Sequence, residues 1–251
     1  MSRFDLTGRS AIVTGANTGI GQAIAVALGE AGANIVAVGR SPMDETEAQC
    51  RPHGTGFLPV HADLSTLEPI ERIMGSAEER FGRVDILVNN AGIIRRADAL
   101  DLTEADWDAV MDVNLKSAFF LAQAAGRRMI ADGGGGKIVN VASLLSVQGG
   151  IRVASYTAAK SGLAGLTRLL ANEWAAKGVN VNAIAPGYVA SNNTAALMAD
   201  PKRSADILAR IPAGRWGEPR DIGGAAVFLA SPAADFVHGI LLPVDGGWLA
   251  R

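Results

Sequence analysis

The stretch ASYTAAKSGLAG (154–165) sets Tyr156, one of two tyrosines in the chain, four residues before Lys160 among small neighbours. At helical spacing the i and i+4 side chains share one face, so phenol and ammonium project toward one point, with Ala158, Ala159, Ser161 and Gly162 leaving room. Such a pair suits acid–base work on an oxygen. A phenol with an unperturbed pKa of about 10 is a poor base at neutral pH. An ammonium about 5 Å away at an effective dielectric of about 20 contributes on the order of 3 kcal/mol, roughly two pKa units, which predicts a lowered tyrosine pKa. Ser143, thirteen residues before Tyr156, offers a hydroxyl that can donate to the same oxygen. Taken alone, a Tyr/Lys pair at this spacing is more often a surface pair, and a lone serine a helix-capping turn residue. The elements around them decide.

Short apolar runs recur along the chain: SAIV (10–13), NIVAV (34–38), GFLPVHA (56–62), VDILV (84–88), KIVNVA (137–142), VNVNAIA (179–185) and ILLPV (240–244). They predict seven strands, apolar almost throughout, as burial on both faces of a parallel sheet requires. Helical segments lie between most of them. IGQAIAVALGEAG (20–32) ends at Gly32, and TEADWDAVMDVNLKSAFFLAQAAGRRMI (103–130) opens on Thr103 with acidic residues in its first turn. The alternation predicts an α/β fold: one domain over 1–251, a Rossmann-like, doubly wound, parallel seven-stranded sheet with helices on both faces. The run Gly133 to Gly136 reads as a turn into the fifth strand. The small, polar segment 190–213, between Pro186 and Pro212, reads as a mobile substrate lid.

TGANTGIG (14–21) follows the first strand and opens the first helix. Gly15, Gly19 and Gly21 permit a tight turn and close approach of backbone to a pyrophosphate, and the helix N-terminus offers unpaired N–H groups to the anion. A dinucleotide site is the reading this context supports. Cofactor choice is read at the end of the second strand, VAVGRSPMD, where Arg40 stands and the acidic position is empty. A guanidinium there can pair with a 2′-phosphate or stack on adenine, so the residue leans toward NADP without excluding NAD.

The composition, 49% hydrophobic and 19% charged with a formal net charge of −2, fits a globular α/β chain and gives no basic field for nucleic acid. One cysteine, Cys50, allows no intrachain disulfide, and three scattered histidines give no metal signature. No apolar signal core precedes the first strand and no run approaches a membrane span, so a cytoplasmic enzyme without membrane or nucleic-acid partners is expected.

In order along the chain, TGxxxGxG, NNAG (89–92), a serine after the fifth strand, YxxxK and PGYVAS (186–191) resemble the short-chain dehydrogenase/reductase family over its whole length. The resemblance implies hydride exchange between a nicotinamide cofactor and an alcohol or ketone. It makes Tyr156 the acid/base, Lys160 its electrostatic partner, Ser143 the donor to substrate oxygen, and Asn114 in MDVNLKS a support for a lysine-to-water proton path; from residues alone Asn114 is equally a buried structural asparagine. It further implies Asn17 and Ile20 at the phosphate turn and Asp63 with Leu64 at adenine. Asn89, Asn90, Ala91 and Gly92 would border the ribose, and Pro186, Gly187, Val189 and Ser191 the nicotinamide carboxamide. Without the resemblance, Asp63 is a turn aspartate.

NNAGIIRRADAL places Arg95 and Arg96 past the fourth strand, and SVQGGIRVASY places Gln148 and Arg152 between Ser143 and Tyr156. Guanidinium groups bind carboxylates and polar groups such as Gln148, Asn192 and Asn193 suit hydroxyls, so a hydroxylated sugar acid fits; each arginine is otherwise a solvated charge. Arg152 is the favoured carboxylate partner. NEWAAKGVNVNAIAPGY, RIPAGRWGEP and VDGGWLAR narrow the resemblance to the deoxygluconate dehydrogenases of the family, the 2-deoxy-D-gluconate 3-dehydrogenase and 2-dehydro-3-deoxy-D-gluconate 5-dehydrogenase group. That implies a homotetramer using NAD(H) slightly ahead of NADP(H), with no metal. The alternatives are a 3-oxoacyl-carrier-protein reductase, another polyol dehydrogenase, or a non-catalytic NAD-binding regulator.

Overall fold

The computed structural model describes residues 2–251. Seven strands form one all-parallel sheet: β1 (Ser10–Thr14), β2 (Asn34–Gly39), β3 (Phe57–His61), β4 (Ile86–Asn89), β5 (Gly136–Val141), β6 (Val179–Pro186) and β7 (Leu241–Val244). Their spatial order is β3-β2-β1-β4-β5-β6-β7. The order in which strands are added therefore reverses between β1 and β4, and a crevice opens there beyond the carboxyl ends of the strands. The α/β, doubly wound, Rossmann-like arrangement read from the apolar runs is the one found. The central strands are buried on both faces, while edge strands β3 and β7 each keep partly exposed residues because only one side has a neighbour.

Alternation along each strand divides the interior into two cores. Ala11, Val13, Ile35, Val88 and Val139 face one side, packed against Ile24 and Leu28 of α1 (Gly19–Glu30) and Ile222 and Leu229 of the last long helix, Pro219–Ala230. Ile12, Val36, Leu87 and Ile138 face the other, packed against Ile73 and Met74 of Ile70–Phe81, Leu121 and Met129 of Ser117–Ala131, and Leu170 of Ala154–Trp174. Burying these side chains, each worth about 1.5–3 kcal/mol, fixes the sheet as a rigid platform for loops at one edge.

In chain order the helices are α1, α2 (Asp44–Cys50), α3 (Ile70–Phe81), α4 (Glu104–Met111), α5 (Ser117–Ala131), α6 (Ala154–Trp174), α7 (Ala195–Ala199), α8 (Pro201–Leu208) and α9 (Pro219–Ala230). One differs from the sequence reading. The single helix expected over 103–130 is α4 and α5 joined by a π turn at Asp112–Lys116. Buried Asn114 lies in that turn; its Oδ1 accepts the N–H of Ile93 at 2.8 Å and its Nδ2 donates to the Ile93 carbonyl at 2.9 Å. A π turn widens the helix locally, and no hydrophobic period announces one. The segment 190–213, read as a substrate lid, carries two short helices, α7 and α8. Thr103 caps α4 as expected, its hydroxyl accepting from the N–H of Asp106 at 3.2 Å. Among the described residues no helix is long and apolar enough to cross a membrane.

Candidate active site

β1 ends at Thr14, whose hydroxyl accepts the N–H groups of Asn90 and Ala91, each at 3.0 Å, and donates to the carbonyl of Val88 at 3.2 Å. The two strand ends at the switch point are thereby tied together. Asn90 Nδ2 donates to the Thr14 carbonyl at 2.9 Å. Gly15 takes φ +66° where the chain turns into α1, a conformation side chains rarely adopt. A Cβ on Gly21 would collide with the Gly15 carbonyl and Asn90 Nδ2, so loop and helix meet as close as backbone allows.

At α1 itself, the Thr18 side chain makes no cap hydrogen bond and the first turn carries no acid. By contrast, Thr103 caps α4 and Asp200 caps α8. Free first-turn N–H groups with the positive end of the helix dipole behind them fit a pyrophosphate. A cavity of about 410 Å³ starts at this turn and runs along the carboxyl edge of the sheet. Gly15, Asn17, Gly19, Ile20 and Gly21 line it, followed by Arg40, Asp63 and Leu64, then Asn90, Ala91 and Gly92, and at the far end Ser143, Tyr156, Lys160, Pro186, Gly187, Val189, Ser191 and Asn192. Asn89 does not: it is buried in the sheet and donates to Asn140 Oδ1 and the Ala118 carbonyl, both at 3.0 Å. Asp63 is both a wall residue and a turn aspartate. The N–H of Ser65, 2.9 Å from Oδ1, holds its carboxyl below the usual range, and the Arg40 charge adds to that. No group of His, Cys, Asp and Glu among the described residues could hold a metal ion.

The reactive end is assembled by two elements. Ser143 follows β5 and opens a short turn, Leu144–Ser146, its hydroxyl accepting the Leu145 N–H at 3.2 Å. Tyr156 and Lys160 project from the first turns of α6. That helix is pinned to the turn by Ser146 Oγ donating to the Lys160 carbonyl at 2.7 Å and Ser161 Oγ donating to the Leu145 carbonyl at 3.2 Å. Lys160 is buried, with Nζ donating to the Val141 carbonyl at 2.6 Å and lying 5.6 Å from the centre of the Tyr156 ring.

Burial acts on both members of the pair. It pushes the Lys160 ammonium down to about 8 and raises the Tyr156 phenol, with the Ser143 hydroxyl and the positive charge of Arg96 acting the other way on the phenol. The lowered tyrosine pKa expected from the sequence is thus reversed here. The Coulomb argument set lysine against tyrosine but left out removal of both from water, which disfavours phenolate and ammonium alike.

The arginines at the mouth differ in their partners. Arg95 Nε lies 3.1 Å from Asp106, and Arg152, at φ +63°, lies 3.5 Å from Asp98. Arg96 has no carboxylate partner among the described residues; it donates to the carbonyl of Asn193 at 3.0 Å, which ties the loop after β4 to the segment before α7. Its charge reaches Tyr156. Of the residues singled out for substrate, Ser143, Asn192 and Asn193 line the cavity, whereas Arg95, Arg96, Gln148 and Arg152 do not. Gln148 Oε1 instead accepts the indole N–H of Trp248 at 3.1 Å. Sequence reading passed over Thr194, whose hydroxyl donates to the Val189 carbonyl at 2.6 Å and accepts the Ser191 N–H at 3.0 Å, pinning the loop that lines the cavity. A threonine five residues after Val189 in a polar loop gives no signal of such a role.

A family profile described as enoyl-(acyl carrier protein) reductase matches residues 15–249. The 2-dehydro-3-deoxy-D-gluconate 5-dehydrogenase of Escherichia coli (strain K12) is 57% identical over 251 residues, 100% of this chain and 99% of the relative. A structure proposed to be a 2-deoxy-D-gluconate 3-dehydrogenase from Agrobacterium tumefaciens, with bound NADP, superposes with a TM-score of 0.92 at 58% identity, covering 100% of both chains. A gluconate 5-dehydrogenase from Burkholderia cenocepacia J2315, in complex with NADP and tartrate, gives 0.93 at 41% identity over 99% of this chain and 98% of that one. With the motifs in order, the sheet in its expected topology and relatives matching end to end, this chain belongs to the short-chain dehydrogenase/reductase family.

Proposed function

We propose that this enzyme interconverts a secondary alcohol and a ketone on a deoxygluconate-type sugar acid, with a nicotinamide cofactor lying along the 410 Å³ cavity. The observation that carries the reading is the meeting of Ser143, Tyr156 and Lys160 at the cavity's end, with Arg96, outside the lining and without a carboxylate partner among the described residues, near enough for its charge to act on Tyr156. The names of the relatives support the sugar acid. The uncapped N-terminus of α1 would hold the pyrophosphate, and Asn90 to Gly92 and Pro186 to Ser191 the nicotinamide half.

A bound nicotinamide supplies or accepts the hydride. In reduction Tyr156 gives its phenolic proton to the carbonyl oxygen, and in oxidation it takes that proton back from the alcohol. Ser143 donates to the same oxygen. Lys160, largely protonated below pH 8, opposes the cost of the phenolate. Asn114 acts as a positioning residue that clamps Ile93 at the cavity wall, and its π turn supports the proton path from Lys160 to water. Arg96 takes the substrate carboxylate in place of the Asn193 carbonyl, with Asn192 and Gln148 available to hydroxyls; Arg95 and Arg152, each already facing an aspartate, shape the mouth around it.

For the cofactor, Arg40 lines the cavity where a ribose 2′-substituent would lie, and no carboxylate from the end of β2 opposes a phosphate. With NADP bound in both solved relatives named above, this outweighs the slight lean toward NAD drawn from resemblance. Arg40→Ala should raise the Michaelis constant for NADP several-fold more than that for NAD; equal effects would remove the 2′-phosphate role. The substrate reading is tested with keto-deoxy and gluconate-type acids against neutral ketones. Arg96→Ala should raise the Michaelis constant about tenfold or more for acids and little for neutral ketones, the loss of a charge-assisted pair. An equal rise for both would remove Arg96 from that role.

A cytoplasmic homotetramer completes the reading. Two exposed apolar groups suit two kinds of contact: Leu169, Phe236 and Ile240, with the loop before β7 seated on α6, and Leu100 and Trp107 ahead of and on α4.

A further inference from the structure

Beyond the two cores that clasp the sheet there is a third, small one. Leu144, beside Ser143, is buried with Ile207 and Ile211 from α8 and its exit and with Trp248 from the last turn of the chain. The tail is folded into place by Asp245, whose oxygens accept the N–H groups of Gly247 and Leu249, each at 2.9 Å. Its Trp248 ring carries Arg210 on one side, 4.0 Å from ring centre, and lies 4.7 Å from the Tyr188 ring. Tyr188 stands between Gly187 and Val189 of the cavity wall. The tail therefore touches the catalytic turn, the lid and the nicotinamide loop at once.

Among the described residues one side-chain hydrogen bond leaves this core. Trp248, 3% exposed, donates its indole N–H to Gln148 Oε1 at 3.1 Å. Gln148 is tethered to the catalytic turn through its own N–H, which donates to the Leu144 carbonyl at 3.1 Å. An indole N–H can only donate, so the amide oxygen must face it and the orientation of the amide is fixed by chemistry. The amide nitrogen makes no hydrogen bond among the described residues. It is not enclosed either.

We propose that Trp248 is a positioning residue for substrate specificity: by occupying the oxygen of Gln148 it turns that side chain, tethered beside the Ser143 turn and just outside the cavity lining, into a pure donor suited to a carboxylate or hydroxyl oxygen of an acid reaching past that turn. The inference rests on the reading of the substrate as a sugar acid. It assigns the C-terminal turn a part in recognising that substrate and none in holding the cofactor.

The test is a double-mutant cycle on the full-length enzyme. Trp248→Phe keeps an aromatic ring in the core while removing the donor together with the second ring. It should raise the Michaelis constant for the acid about fivefold, the size of one lost hydrogen bond, with turnover and the Michaelis constant for NADP within about twofold of the parent. In a Gln148→Ala background the same substitution should have less than about a twofold effect, because its route is already gone. Gln148→Glu, which keeps an oxygen for the indole but presents a negative acceptor to the acid, should be worse than Gln148→Ala. Effects of Trp248→Phe that multiply with Gln148→Ala, or Gln148→Glu matching the parent, would overturn the proposal. A readout without substrate separates this from the function itself. The indole N–H signal of Trp248, one of four tryptophans, should lose hydrogen-exchange protection in Gln148→Ala, and unchanged protection overturns the proposal whatever acid the enzyme uses.

Discussion

At the scale of single residues, the site is governed by what burial does to a phenol and an ammonium placed one helical turn apart. Removing the proton donor in Tyr156→Phe should lower turnover by about 10²–10⁴, the usual worth of a positioned acid or base, while cofactor affinity measured by fluorescence titration stays near the parent's. Retained turnover would exclude Tyr156 as the acid/base. The pKa directions give signs for pH. Oxidation needs the phenolate, so its rate should rise with pH, and reduction should fall, with apparent values belonging to the Tyr156–Lys160 pair. For stability, Lys160 sits at about 8 against an ordinary 10.5. The unfolded chain then binds the proton more tightly, so stability should rise as pH climbs from about 8 toward 10.5. Lys160→Met should accordingly lose activity yet raise the thermal midpoint by a few degrees at pH 7, the relief being on the order of 3 kcal/mol before the lost bond to Val141 is counted. A lowered midpoint would show that the lysine supports the fold. That Ser143, Tyr156 and Lys160 meet was legible in the sequence because YxxxK and a serine after a strand are local patterns. The arginine proposed for the carboxylate was not. Arg95, Arg96 and Arg152 look alike as letters, and only the positions of Asp106 and Asp98 in space single out Arg96.

Among elements, the strands and the first helix were readable because burial on both faces and a glycine-marked turn are written in consecutive residues. The π turn at Asp112–Lys116 was not, because it serves a side chain, Asn114, whose partner Ile93 lies twenty-one residues away. The same holds for α7 and α8, short helices whose apolar residues meet the C-terminal turn rather than the sheet. Gly21→Ala tests the phosphate turn. Its Cβ would meet the Gly15 backbone as well as the hydrogen-bonded Asn90 side chain, so the loop must shift, and affinity for NADP should fall by at least about tenfold with a smaller loss of stability. Parental affinity in this variant would separate the turn from cofactor binding.

For the molecule as a whole, the sheet order places every cofactor-lining loop at one edge, and the two cores leave that edge free for chemistry. The exposed apolar residues Leu169, Phe236 and Ile240 are not part of the cavity lining, as the proposed contact between copies requires. Phe236→Asp should reduce the mass seen by analytical ultracentrifugation below that of a tetramer; an unchanged mass would place the contact on another face. The account stands most directly on one measurement: the rate at which reduced nicotinamide forms or disappears when purified enzyme meets NADP(H) or NAD(H) and a panel of gluconate and keto-deoxygluconate acids beside neutral ketones. Turnover that prefers an acid and vanishes in Tyr156→Phe is the predicted result. No turnover of any acid, or an acid turnover that survives loss of that hydroxyl, would contradict it.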